Sequence, residues 1–100
     1  LEDRIRFVLG DVREVLLDVK PDTLVLDPPW GGPGHGKGTM TFADLTRAGL
    51  DVPALLAAHG KTTILKLPPS FDVAELPAGF RARVLFDDRA IPKCLAADRR

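Results

Sequence analysis

Tyrosine is absent from this 100-residue chain, and cysteine, methionine and tryptophan occur once each. The lone Cys94 excludes an internal disulfide framework and any metal site built from several cysteines. It points to a reducing compartment, so an intracellular protein is expected, cytoplasmic or, in a eukaryote, nuclear. No apolar run approaches the roughly 20 residues that span a bilayer, and no signal-peptide pattern opens the sequence. No membrane partner is expected. Surplus charge of either sign is missing as well, because 14 acidic and 14 basic residues cancel. That balance argues against a protein that grips nucleic acid mainly by bulk electrostatics. It conceals a gradient: residues 1–30 carry seven acids and four bases, whereas residues 81–100 carry six bases and three acids. An anionic partner is expected to meet the C-terminal part.

What is present suits one small domain, since 45% of the residues are hydrophobic and 28% charged. Residues 4–9, RIRFVL, alternate and then run apolar, which predicts a strand closed by Gly10-Asp11. Val12, Val15, Leu16 and Val19 share one face at helical spacing, and Pro21 bars continuation. Residues 23–27, TLVLD, read as a buried strand ended by Pro28 and Pro29, which have no N–H to give a ladder. A turn of helix is expected in TFADL (41–45). A longer helix is expected over 52–59, with Asp51 as N-cap, Pro53 in its first turn and Gly60 as its stop. TTILKL (62–67) reads as a strand before Pro68-Pro69, FDVAEL (71–76) as a short helix and RARVLFDD (81–88) as a strand. Residues 93–100 fit a strand or a fraying helix equally. The alternation predicts an α/β fold with a mostly parallel sheet and an antiparallel C-terminal hairpin. Ligands bind beyond the carboxyl ends of such strands, where both proline pairs and Gly10-Asp11 fall.

LVLDPPWGGPGHGKG (24–38) carries the chemistry. The exocyclic amine of a nucleobase is a poor nucleophile because its lone pair is spread into the ring. A carboxylate at Asp27 and a carbonyl at Pro28 can each accept one N–H, which favours a pyramidal nitrogen with its lone pair directed outward. The prolines present these acceptors without a competing donor. Trp30 offers a flat face for the base, a contact worth about 1–3 kcal/mol. The glycines that follow let backbone approach a ligand closely.

IRFVLGDVREVLLDVKPDTLVLDPPWGGP resembles the stretch around the catalytic motif of class I S-adenosylmethionine-dependent methyltransferases that act on amino groups. The run Trp30-Gly31-Gly32-Pro33 resembles the trimethylguanosine synthase family, RNA-capping enzymes that methylate the N2 of 7-methylguanosine. KTTILKLPPSFD and the residues from Arg81 onward are similar to later segments of that family. The resemblance implies a partial Rossmann-like methyltransferase fold, with residues 1–100 as the C-terminal portion of a catalytic domain. It implies S-adenosylmethionine as cofactor and guanosine-containing RNA, capped or internal, as partner. Asp27 and Pro28 would be catalytic. Trp30, Pro29, Gly31 and Gly32 would hold the base, and Asp11, with Gly10 and Asp27, would meet the cofactor. The glycine-rich turn and acidic residue that such enzymes place on their first two strands have no counterpart before Arg4, and the chain opens on Leu1 rather than methionine; a fragment is expected.

Alternatives stay open. An aspartate at position 27, where the cap enzymes have serine, suits adenine-amino methyltransferases. The absent cofactor turn suits a noncatalytic module that binds RNA or a partner. GGPGHGKGT (31–39) nearly matches a phosphate-binding loop of nucleotide hydrolases, but Gly38 stands where a hydroxyl should hold magnesium. Asp11 is equally a helix cap, and Trp30 can plug a core. His35 reads as a surface histidine or a substrate contact, and His59 as the end of a helix. Lys66 reads as a snorkelling surface lysine or a phosphate contact.

Overall fold

In the computed structural model, residues 4–30, 38–59 and 62–100 are described. The first helix, α1 (Val12–Asp18), starts where Asp11 turns its carboxylate back to accept the Arg13 N–H at 2.9 Å, and it stops ahead of Pro21. Helix α2 (Phe42–Ala48) runs two turns rather than the single turn expected. Thr41 and Asp44 cap it reciprocally, and Gly49 ends it at φ 131°, a backbone state that side-chain-bearing residues rarely adopt. Helix α3 (Val52–Ala58) starts from Asp51, whose carboxylate accepts the Ala54 N–H at 3.1 Å, with Pro53 in the first turn. His59 is its C-cap, while the expected stop at Gly60 lies outside the described residues.

Strands β1 (Thr23–Leu26), β2 (Thr62–Leu67), β3 (Arg81–Phe86) and β4 (Pro92–Arg99) form a four-stranded sheet in the order β1-β2-β4-β3. β1 and β2 are parallel, joined through α2 and α3, and β4 runs antiparallel to both β2 and β3. The protein is therefore a small α/β fold with a mixed sheet.

Two sequence expectations are corrected, and one that was open is decided. Residues 4–9 enter no ladder and lie exposed, so the sheet is not mostly parallel: one of its three strand pairings is parallel and two are antiparallel. An alternating pattern makes a strand only where a neighbour offers a free edge in register, and among the described residues none meets this segment. The C-terminal residues, open between strand and helix in the sequence, form β4 and with β3 the expected antiparallel hairpin, because insertion between β2 and β3 satisfies their backbone on both sides. FDVAEL shortens to a 3-10 turn, Val73–Glu75, capped by Asp72.

The core lies on one face of the sheet. Leu24 and Leu26 of β1, Leu65 and Leu67 of β2 and Leu95 and Ala97 of β4 pack with Leu16, Leu45, Val52, Leu55 and Leu56 of the helices. Parity decides which strand residues take part: β1 alternates exposed and buried, so Val25 points to the other face at 66% exposed. Arg99 ties sheet to helix: its guanidinium reaches the Leu56 and His59 carbonyls at the end of α3 and lies over the Phe80 ring.

Candidate functional site

β1 ends at Leu26 because Pro28 and Pro29 cannot continue its ladder, and Asp27 is the first residue past the end. Pro28 is buried and Pro29 exposed, so the chain pivots on a fixed proline while Asp27 stays outside. The Asp27 side chain is 63% exposed. Trp30 is half-buried and packs against the core, with its indole nitrogen shut off from solvent. Part of the ring therefore belongs to the core, and only its remaining surface is open to a base.

Across the parallel pair, Leu26 sits opposite Leu65, so the next residues, Asp27 and Lys66, fall side by side. Lys66 Nζ stands 3.8 Å from Asp27 Oδ2. Both groups are more than half solvated, so the pair contributes little to stability and leaves the carboxylate open to a ligand. The sequence carries a faint signal for this pairing, since both residues sit at the ends of apolar runs that break at proline pairs. Only the parallel register turns that likeness into proximity.

Beyond the second proline pair, where Pro68 is fully buried, the chain bonds to the residues leaving the glycine-rich loop. The Met40 N–H donates to the Ser70 carbonyl at 3.0 Å and the Asp72 N–H donates to the Met40 carbonyl at 2.8 Å. Phe42 and Phe71 meet edge to face at 4.8 Å. Glu75 Oε1 accepts the Phe42 N–H at 2.6 Å, which places a carboxylate at the start of α2. These contacts clamp the two segments that leave the carboxyl ends of β1 and β2, and reading the sequence alone did not reveal them.

Asp11 is placed differently. Its oxygens accept from Arg13 three times, through the backbone N–H at 2.9 Å, Nε at 3.0 Å and Nη2 at 2.5 Å. The hydrogen bond from the Arg13 side chain, more than any other influence, holds its pKa down at about 2. Gly10 is close to α1: a Cβ there would come within 3.0 Å of the Val15 side chain. The structure thus gives Asp11 the cap of α1 and a guanidinium partner. Gly31, Gly32 and His35, with the lysine of the near phosphate-binding loop, Lys37, lie outside the described residues.

Among the described residues no group of histidine, cysteine and carboxylate side chains is arranged to hold a metal ion. None of the described helices is long and apolar enough to cross a membrane. Comparison with protein-family models, with curated proteins and with solved structures finds no match for this chain.

Proposed function

We propose that Asp27 and Pro28 receive the exocyclic amine of a guanine in RNA, with Trp30 against the base, as the amine-holding part of an S-adenosylmethionine-dependent methyltransferase site. The observation that carries this reading is the exit of β1: a solvated carboxylate followed at once by a buried proline and a half-buried tryptophan, at the carboxyl end of a parallel pair. Asp27 accepts one N–H of the amine and the Pro28 carbonyl the other, which localises the nitrogen lone pair. Lys66 stands beside the carboxylate, where a nucleotide phosphate would come near. A parallel pair followed by an antiparallel hairpin supports a partial Rossmann-like methyltransferase sheet.

The described residues do not complete a cradle for S-adenosylmethionine. Asp11, which the resemblance assigns to the cofactor, has both oxygens engaged by Arg13. The chemistry that this chain's own residues support therefore ends at the amine. The same gap favours, as a second reading, a noncatalytic module that binds the RNA base without methylating it.

Trp30 is the only tryptophan and tyrosine is absent, so intrinsic fluorescence reports on this position. Titration with 7-methylguanosine cap analogue, guanosine monophosphate and adenosine monophosphate is expected to give saturable quenching that favours the guanine ligands and weakens in Asp27→Ala. Preference for adenosine monophosphate would move the reading to the adenine-amino relatives. Quenching by ATP that requires magnesium would favour nucleotide hydrolysis, and no quenching by any nucleotide would overturn the base-binding role of Trp30.

A further inference from the structure

The helices cover one face of the sheet, and the strand registers define what the other face presents. Asp27 follows Leu26, which pairs with Leu65; Lys66 pairs with Ala96, and Ala96 with Arg83. Asp27, just past the end of β1, therefore continues a row with Lys66, Ala96 and Arg83 of β2, β4 and β3. The row beside it is Val25, Ile64, Asp98 and Arg81. Ion pairs from Lys66 to Asp27 and from Arg81 to Asp98 confirm that these side chains share a face.

This face carries the cations that the chain's balanced composition conceals. Lys66, Arg81, Arg83 and Arg100 stand against two carboxylates, Asp27 and Asp98. Asp98 is held by Arg100 Nε at 2.9 Å, so Arg81, at 3.6 Å, is only loosely engaged, and its side chain is 76% exposed. Arg83 is exposed and has no ion-pair partner among the described residues. Arg81, Arg83 and Asp98 line a shallow cavity of about 140 Å³. The two arginines stand two residues apart on one strand, about 7 Å along it, and the row from Asp27 to Arg83 spans roughly 14 Å at three strand spacings.

We propose that this open face is the track for the phosphate backbone of the RNA strand whose base reaches Asp27 and Trp30, with Arg83 and Arg81 as its main phosphate contacts. The proposal rests on the function given above and adds where the strand runs. Guanidinium groups suit phosphate because their donors match two of its oxygens at once. No aromatic side chain stands in either row, so the track grips backbone and not bases, and its binding is sequence-tolerant and salt-dependent. The row passes from Arg83 to Lys66 and ends at Asp27, so a strand on the track is delivered to the proposed amine site.

The test is fluorescence anisotropy of a labelled oligouridine strand on the whole chain, read as affinity against salt. For single strands the logarithmic slope is about −0.7 per phosphate contacted, so Arg81→Ala/Arg83→Ala is expected to flatten it by about 1.4. The ratio of affinities between about 50 and about 200 mM salt then shrinks about sevenfold. Arg81→Lys/Arg83→Lys keeps the charges and is expected to keep the slope. Arg47→Ala, on α2, is expected to change neither slope nor affinity. An unchanged slope in the double alanine variant, or an equal change in Arg47→Ala, overturns the track. So does the absence of oligouridine binding, and concentration-dependent self-association in its place would assign the face to a second copy of the chain. Cap-analogue quenching of Trp30 is expected to survive in the double alanine variant. Loss of the slope change with that quenching intact refutes the track alone, whereas absence of quenching in the unaltered chain refutes the base site alone.

Discussion

Replacing Glu75 by alanine tests whether the two segments at the mouth of the site are held together as the structure shows. The Glu75 carboxylate accepts the Phe42 N–H at 2.6 Å from 33 residues away, at the start of α2, where backbone donors lack helical partners. A hydrogen bond to a charged group contributes about 1.5–3 kcal/mol when well shielded. Glu75 is itself exposed, so the expected loss lies nearer 1–2 kcal/mol, a sizeable share of the roughly 5–15 kcal/mol that holds a domain folded. Urea unfolding followed through Trp30 is expected to show a midpoint lower by about 1 M with an unchanged slope. Amide exchange supplies the local reading: protection is lost first at Phe42, while amides within β2 and β4 keep theirs relative to the lowered global stability. Glu75→Gln keeps an acceptor oxygen without the charge and is expected to lose less than alanine does. A Glu75→Ala protein with an unshifted midpoint and normal exchange at Phe42 would refute the clamp.

Ala90, in the β3–β4 turn, holds φ at 61°, where a Cβ costs about 1–2 kcal/mol. After the extra unfolded-state freedom of glycine is subtracted, Ala90→Gly is expected to stabilise the protein by about 0.5–1 kcal/mol, read as a raised urea midpoint. A lowered midpoint would show that the turn does not strain this residue. Acid provides a further check through Asp11, Asp44 and Asp98. Asp11 is held at about 2 by the Arg13 side chain, Asp44 is lowered chiefly by the Thr41 backbone N–H and Asp98 chiefly by the Arg100 side chain. Each native carboxylate is the weaker base, so its contribution is complete above the ordinary value of 3.8 and drains away as pH falls below it, for Asp11 toward about 2. Urea midpoints are expected to be flat from neutrality to about pH 5 and to fall below pH 4, with a shallower fall in Asp11→Asn; an equally steep fall in that variant would contradict the native Asp11–Arg13 contact.

Signals that act within a few residues were legible in the chain itself. Asp11 and Asp51 cap helices because a short carboxylate side chain reaches an N–H two or three positions on, and no distant contact is needed. Proline ends β1 and follows the end of β2 because its missing N–H is a covalent fact. The same locality marked Asp27, Pro28 and Trp30 as residues at a strand end. Tertiary structure decided everything that depended on who stands next to whom. Residues 4–9 have a strand's pattern but no ladder, and Pro92–Arg99 became a strand only because β2 and β3 both offered an edge. Lys66 reached Asp27, and Arg83 joined their row, through registers that no local pattern encodes. A cap or a proline acts through bonds and one turn of chain. Pairing closes loops tens of residues long and is settled by the burial of the whole face, so it is written in the sum of the sequence and not in any stretch of it.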